Sequence, residues 1–286
     1  MAPGPLVERG RVHGRKIAAM AQAGFVPDLT IVLPAYNERS RIGPALDELF
    51  GYLLKSNQEP DTNGLGSWNV LVVDDGSVDG TAAFVESRSE AAADDGEAPR
   101  LRVLRTVHGG KGAAVRAGML AAEGARVIFT DADLATPPDQ LPRLRAALDL
   151  SDVALGSRVQ ADGTDGRATQ ALYRRLLGRL FHAAAAAWVT GPVPDTQCGF
   201  KGFTREAAQD LCARQRTTGV VFDAEIIFLA RRRGYRIAIV PVQWSDKRGS
   251  RMRVGLRPAA RVGWDLFRIP VLHFRSVKRR EVVVPL

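Results

Sequence analysis

Val127-Ile-Phe-Thr-Asp-Ala-Asp133 sets four strand-forming residues directly against two carboxylates. A run of β-branched and aromatic residues with no polar alternation reads as a strand buried on both faces, as in a parallel sheet. Two earlier runs end the same way. Leu29-Thr-Ile-Val-Leu33 leads into Pro34 to Glu38, and Val70-Leu-Val-Val73 leads into Asp74-Asp75-Gly76-Ser77. Between the strands the apolar spacing turns helical: Ile42, Ala45, Leu46, Leu49 and Leu53 share one face of a helix over Ile42 to Leu54. Further helices are expected from about Gly80 and over Lys111 to Ala122, with Leu101 to Leu104 as another strand. Strand–helix alternation predicts an α/β fold with a mainly parallel, doubly wound sheet. Such sheets bind ligands beyond the carboxyl ends of their strands, so three polar clusters are expected on one edge.

The second half is less regular. Val153 to Ser157 and Arg236 to Val242 read as strands, Ala168 to Val189 and Phe222 to Arg233 as helices, and Pro137-Pro138 as a helix start. The stretches 58–67 and 86–99 read as surface loops. Residues 1–27 are Gly/Pro/Ala-rich and basic, and are expected to be a flexible lead-in, with an acidic-poor transit peptide as the alternative. The catalytic unit is expected over 28–253 and a basic amphipathic segment over 254–286. No run reaches the roughly 18–20 apolar residues of a membrane span; the longest, Ala183 to Val189, stops at Thr190-Gly191-Pro192. Two cysteines, Cys198 and Cys212, make neither a disulfide framework nor a zinc site, which points to a reducing cytosol.

The formal charge of +9 is unevenly placed: Lys247 to Arg280 holds eleven Lys/Arg against Asp265 alone, so the rest of the chain is near neutral. Such a segment calls for an anionic partner.

Three groups of residues carry the chemistry. Asp131 and Asp133 can both face a divalent cation, Mg²⁺ or Mn²⁺, which favours carboxylate and phosphate oxygens; a solvated turn is the other reading of Asp-x-Asp. Asp75 can accept from a ribose hydroxyl or a base N–H, or cap its own turn. His108-Gly-Gly-Lys-Gly112 enters a helix and offers Lys111 to a phosphate, yet it fits neither the Walker pattern nor G-x-G-x-x-G. A P-loop NTPase and a dinucleotide dehydrogenase are therefore disfavoured.

In order along the chain, Val32-Leu-Pro-Ala-Tyr-Asn-Glu38, Val72-Val-Asp-Asp-Gly-Ser-Val-Asp-Gly-Thr81, Lys111-Gly-Ala-Ala-Val-Arg-Ala-Gly118 and Asp131-Ala-Asp133 resemble the signatures of family-2 inverting glycosyltransferases. Gly156-Ser-Arg158, Asp195 to Lys201, Phe222 to Glu225 and Trp244 to Arg251 are similar to the dolichyl- and polyprenyl-phosphate β-glucosyltransferase branch. The resemblance implies a GT-A fold and transfer of a hexose, glucose from UDP-glucose, to a polyprenyl or dolichyl monophosphate. It also implies site roles. Pro34, Ala35, Tyr36, Glu38 and Asp75 would hold the nucleotide with Lys111, and Asp131, Ala132 and Asp133 the diphosphate. The metal would sit on Asp131 and Asp133. Arg158 would meet donor phosphates, Asp195 and Lys201 would lie near the sugar and acceptor, and Arg174 and Arg251 would meet the acceptor phosphate. Two positions depart from the pattern of relatives: Ala135 where an extra metal-binding Gln is frequent, and Gly178 where a phosphate-binding Ser is common.

A phosphate acceptor arrives ionised and has little need of a general base. A soluble or glycan-hydroxyl acceptor is the rival, and would need one from Asp195, Asp223 or Glu225; GDP-mannose is the alternative donor. A nucleotide-binding module without turnover is the non-enzymatic rival. Leu256 to Phe274 mixes Trp264, Leu266, Phe267, Ile269, Val271 and Phe274 with Arg257, Arg261, Arg268 and Arg275. A basic amphipathic helix of that kind can lie on the cytoplasmic face of a membrane, with Pro258 and Pro270 expected to hold it to about eleven residues. Nucleic acid is not expected, since no single-strand-binding aromatic layout accompanies the charge.

Overall fold

The computed structural model describes residues 26–58, 65–92, 99–160, 183, 185–245 and 256–275. Arg174, Gly178, Arg251 and most of the helix expected over Ala168 to Val189 lie outside these residues. The strands are β1 (Leu29–Ala35), β2 (Trp68–Asp74), β3 (Leu101–Arg105), β4 (Arg126–Thr130), β5 (Val153–Ser157), β6 (Phe200–Thr204) and β7 (Ile237–Pro241). The α-helices are α1 (Ile42–Gln58), α2 (Thr81–Glu86), α3 (Lys111–Ala121), α4 (Leu141–Ala147), α5 (Arg205–Arg214), α6 (Phe222–Arg233) and α7 (Leu256–Leu272).

One seven-stranded sheet runs β3-β2-β1-β4-β6-β5-β7, with β3, β2, β1 and β4 all parallel and β6 antiparallel to both β4 and β5. The strand order reverses between β1 and β4. This is the switch point at which an open α/β sheet leaves a crevice beyond its strand ends. The apolar runs bury as expected. Ile31 and Leu33 pack on one face with α1, and Val32, Val73 and Val127 on the other with α3 and α5. Helix α3 lies close to the sheet because residue 118 is glycine: a Cβ there would come within 2.4 Å of Val32 and 2.7 Å of Val73. That approach sets where Lys111, at the helix start, reaches.

The structure departs from the sequence expectations at several points. Strand β1 does not stop at Leu33 but continues through Pro34 to Ala35. Its pairing with β4 has already ended at Val32↔Phe129, so the missing N–H of Pro34 breaks no ladder bond on that side. Strand β6 and helix α5 are additional. Phe200-Lys-Gly-Phe-Thr204 lacks the composition of a central strand, and its lysine is fully buried. Helix α7 spans 17 residues rather than eleven. Pro258 falls in its first turn, where backbone N–H groups have no intrahelical partner, and Pro270 falls in its last. Of the stretch expected as a long helix, the described end is a π-helical turn, Ala186–Thr190. Leu266 and Ile269 of α7 pack with Ala185, Val189, Val221 and Ala224, which joins the C-terminal helix to that turn and to α6.

Candidate active site

The loops after β1 and β2 hold one another by side chains. Asn37 N–H donates to Ser77 Oγ at 2.8 Å, Glu38 N–H to Thr81 Oγ1 at 2.9 Å and Arg39 N–H to Asp79 at 3.0 Å. In return Val78 N–H donates to Asn37 Oδ1 at 2.9 Å. The polar letters of the second signature thus fasten the first, and Asn37 accepts a left-handed φ of 53° to do so. Glu38 pairs with Arg41 at 2.5 Å.

Asp75 is buried, and its carboxylate serves the β3–α3 loop. It accepts from Gly109 N–H and Gly110 N–H, both at 2.9 Å, and faces His108 Nδ1 at 2.9 Å. Both of its carboxylate oxygens therefore have partners within the chain, and little of the side chain faces solvent. What does stand open is a ring pair above it. Tyr36 and His108 stack with centroids 4.1 Å apart and planes 22° apart, and Tyr36 is 41% exposed. Asp74 takes the turn-capping role, accepting from Ser77 N–H at 3.2 Å.

Lys111 reaches from the start of α3 to Asp131, Nζ to Oδ1 at 2.5 Å. Burial opposes the ammonium charge, but Asp131, Asp223 and Asp133 outweigh it and hold the lysine above its ordinary pKa. Asp131 is placed by a close backbone approach. Its N–H donates to Gly199 O at 3.1 Å, and a Cβ on Gly199 would lie 2.1 Å from its Oδ2. Asp133 accepts from Ala135 N–H at 3.1 Å, closing a turn in which Leu134 adopts φ 49°. Burial and neighbouring Asp131 raise the Asp133 carboxyl above the usual range, with Ala135 N–H, Lys111 and Arg41 pulling against them.

Arg158, just past β5, and Asp195 form a two-pronged ion pair: Nε to Oδ2 at 2.7 Å and a terminal nitrogen to Oδ1 at 2.8 Å. Asp195 is buried, and the guanidinium also lies 5.5 Å from the Trp244 ring. Lys201 points inward from β6. It is fully buried, donating to Asp223 at 2.6 Å and to Cys198 O at 2.5 Å. Asp223, in the first turn of α6, is in turn pushed up by burial against the pull of Lys201 and Lys111. His108, Gly199 and Trp244 stand inside the stretches 108–112, 195–201 and 244–251 read from sequence, with no individual role assigned to them. Asp223 stands in the Phe222 to Glu225 motif and as an optional base, and Gly199 within the Asp195 to Lys201 motif.

The glycosyl transferase family 2 model matches residues 30–212, well over half of the chain. The chain belongs to this glycosyltransferase family. Family-2 relatives over most of the chain bear one activity name. The dolichyl-phosphate beta-glucosyltransferase ALG5C of Trichomonas vaginalis is 35% identical over 254 residues, covering 86% of this chain and 72% of the relative. The Drosophila melanogaster dolichyl-phosphate beta-glucosyltransferase is 34% identical over 269 residues, covering 89% and 79%. The Homo sapiens protein of that name is 31% identical over 261 residues, covering 88% and 78%. Among solved structures, glucosyl-3-phosphoglycerate synthase from Mycobacterium tuberculosis, in complex with Mn²⁺, UDP and glucosyl-3-phosphoglycerate, aligns with a TM-score of 0.54. It is 20% identical, covering 98% of this chain and 88% of that one, and shares the fold.

Among the described residues no group of three or more His, Cys, Asp or Glu side chains could enclose a metal. Two carboxylates fit a different kind of site in this family-2 chain. A hard divalent cation bound by one or two carboxylates takes its remaining ligands from substrate phosphates and water. Asp133→Asn tests this. The raised pKa means that the folded chain holds the Asp133 proton more tightly than the unfolded chain does. Its contribution to stability is thus full below the unfolded pKa and lost as pH rises through the folded one. The asparagine variant should lose less stability over that rise, read as Tm against pH. It should weaken Mn²⁺ binding in the presence of UDP, followed by the paramagnetic resonance of free Mn²⁺. The expected loss exceeds the roughly 10- to 100-fold cost of an outer-shell partner.

Proposed function

We propose that this family-2 glycosyltransferase moves glucose from UDP-glucose to dolichyl or polyprenyl monophosphate, giving a β-linked lipid-phosphate sugar. The observation that carries this choice of acceptor is the state of the three candidate bases. Asp195 is paired with Arg158 and Asp223 with Lys201. Glu225 accepts from Arg216 N–H, Thr217 N–H, the Thr217 hydroxyl and His273. All three are buried. A hydroxyl acceptor must surrender a proton to such a group, whereas a phosphate monoester, with a second pKa of about 6, is already dianionic at neutral pH.

In the proposed step a phosphate oxygen of the acceptor bonds to C1 of the glucose from the face opposite the diphosphate. The C1–O bond breaks, its electron pair leaves with UDP, and the α-linkage becomes β. No proton moves. The chain's work is to hold two anions close and to stabilise the leaving group. Asp131 and Asp133 would hold Mg²⁺ or Mn²⁺, which when bound neutralises diphosphate charge. Lys111 would exchange part of its contact with Asp131 for a diphosphate oxygen. The Tyr36–His108 pair offers a flat surface for the uracil ring. Asp195 fixes the Arg158 guanidinium at the edge of the cleft, and Arg174 and Arg251 remain the proposed grip on the acceptor phosphate.

No helix among the described residues is long and apolar enough to cross a membrane. Helix α7 suits lying on one instead, on the cytoplasmic face. Trp264, Phe267, Val271 and Phe274, at helical spacing, are each more than half exposed, while Leu266, Ile269 and His273 on the opposite face are buried. Trp188 from the π-helical turn stacks on Phe267 at 5.5 Å and 4°, and Trp264 lies 6.0 Å from the same ring. Solvated aromatic rows of this kind are expensive for a protein that stays in water, and suit the headgroup boundary.

The test is transfer of radiolabelled glucose from UDP-glucose into a dolichyl-phosphate emulsion with Mn²⁺ or Mg²⁺, with GDP-mannose and EDTA in parallel. Label in the organic phase from UDP-glucose alone, abolished by EDTA, is the expected result. Metal-dependent donor hydrolysis with no lipid label would refute the acceptor.

A further inference from the structure

Where α5, α6 and α7 end together, a cavity of about 460 Å³ opens between Arg214, Arg216, Arg233 and Arg275, with Gln215, Leu272 and His273 in its wall. Among the described residues none that lines it is acidic. Asp210 stands behind it and pairs with Arg214 at 3.2 Å and with Arg233, while also accepting from Tyr235 Oη. One carboxylate therefore answers two of four guanidiniums, and about three positive charges remain around the opening. His273 is not part of that excess, because its Nε2 is engaged with Glu225 at 2.5 Å. Four like charges repel and would not be gathered round a concave opening for stability alone.

The place of the cavity narrows its ligand. Leu272, His273 and Arg275 line it, while Val271 and Phe274, interleaved with them, stand exposed at the end of the aromatic row. Arg275 lies 5.1 Å over the Phe274 ring, and Arg232 holds the Phe274 carbonyl at 2.8 Å. The end of α7 and the turn after it thus set exposed apolar side chains beside guanidiniums. A phospholipid has the matching sequence of acyl chain and phosphate. Guanidiniums grip phosphate oxygens in two-pronged fashion and stay charged when partly desolvated.

We infer that this cavity is a headgroup site for an anionic phospholipid, separate from the donor cleft, which fixes how α7 lies on the bilayer. The inference rests on the reading that α7 docks to a membrane, and the two can fail separately. The cavity wall also touches the start of α3: Gln215 donates to Gly112 O in its first turn at 2.8 Å. Seating of a headgroup would therefore bear on the helix that carries Lys111.

The experiment is co-sedimentation of the full chain with phosphatidylcholine vesicles, with and without phosphatidylglycerol. It compares the wild type, Arg216→Ala/Arg275→Ala, and Trp264→Ser/Phe267→Ser. Both arginines are exposed, and UDP binding by each variant reports that the fold is intact. The wild type should bind the anionic vesicles more tightly than the neutral ones. The arginine variant should keep its neutral-vesicle binding and lose affinity for anionic vesicles by about five-fold per arginine, about 25-fold together. The aromatic variant should lose both. An arginine variant that keeps its preference for phosphatidylglycerol would overturn the headgroup site while leaving docking in place. A wild type that binds neither vesicle would overturn both. Calorimetric titration with glycerol phosphate is the last arm, and saturation as tight as on anionic vesicles would refute the lipid in favour of a soluble phosphate.

Discussion

Lys201→Met should lower the unfolding free energy by about 3–5 kcal/mol, the cost of breaking a buried ion pair from one side. The ammonium is fully buried and holds Asp223 at 2.6 Å, with no water-facing edge to take over its role. Methionine matches the length of the side chain but leaves a carboxylate among apolar neighbours such as Phe129 and Phe222. Asp223 already stands above its ordinary pKa through burial, and the loss of Lys201 would raise it further. The folded variant then binds a proton that the unfolded chain does not, so its stability falls as pH rises through that folded pKa. Urea melts should accordingly show a larger deficit at pH about 8 than at about 5. A deficit independent of pH would mean that Asp223 is not the group left exposed to the loss. The double variant Lys201→Met/Asp223→Leu should recover much of the stability, since an apolar pair of similar volume can replace a buried ion pair.

The second large effect is expected at Gly199. Its backbone is not left-handed, so alanine is tolerable to the chain itself. The obstacle is Asp131, whose Oδ2 and Cγ would lie 2.1 and 2.4 Å from the new methyl group. Backbone at Gly199 is tied to Asp131 N–H, so the carboxylate has to swing away, and with it its contact with Lys111. Gly199→Ala should reduce kcat by about 100-fold, the usual penalty for misplacing a reacting group by about 1 Å. Overpacking should cost only about 1–3 kcal/mol of stability. A variant with full turnover would show that the Asp131 position is not required. The matching binding readout is Mn²⁺ affinity with UDP present, which should fall together with kcat.

Much of this architecture is legible before any coordinates. The strands from Leu29, Val70, Val127 and Val153 are apolar on both faces, which is the one pattern that buried parallel strands cannot hide. The three polar clusters after them do meet at one edge, because chain direction alone places them there. What the sequence conceals is which carboxylates are free. Asp75 and Asp195 look like ligands for a substrate, and the structure adds partners inside the chain: two glycine N–H groups for one and Arg158 for the other. Those partners lie 34 and 37 residues away, and no local pattern reports them. Strand β6 is hidden for a related reason. Its buried lysine is compensated by Asp223, 22 residues further on, so hydropathy misreads the strand as a loop. The Pro residues of α7 mislead in the opposite sense, since their cost depends on their turn within the helix.

Strand β6 also governs the order in which the molecule can be made. Strands β1 to β4 are contiguous in the first 130 residues, but the neighbour of β4 in the sheet is residues 200–204. Until that stretch leaves the ribosome, the outer edge of β4 has unpaired N–H and C=O groups facing solvent. At roughly 5–20 residues per second that interval lasts several seconds or more. An open apolar edge is a template for mispairing with other chains. Chaperone occupancy and insoluble yield should therefore peak for nascent chains stalled between Thr130 and Phe200, and fall sharply once Thr204 is free of the exit tunnel.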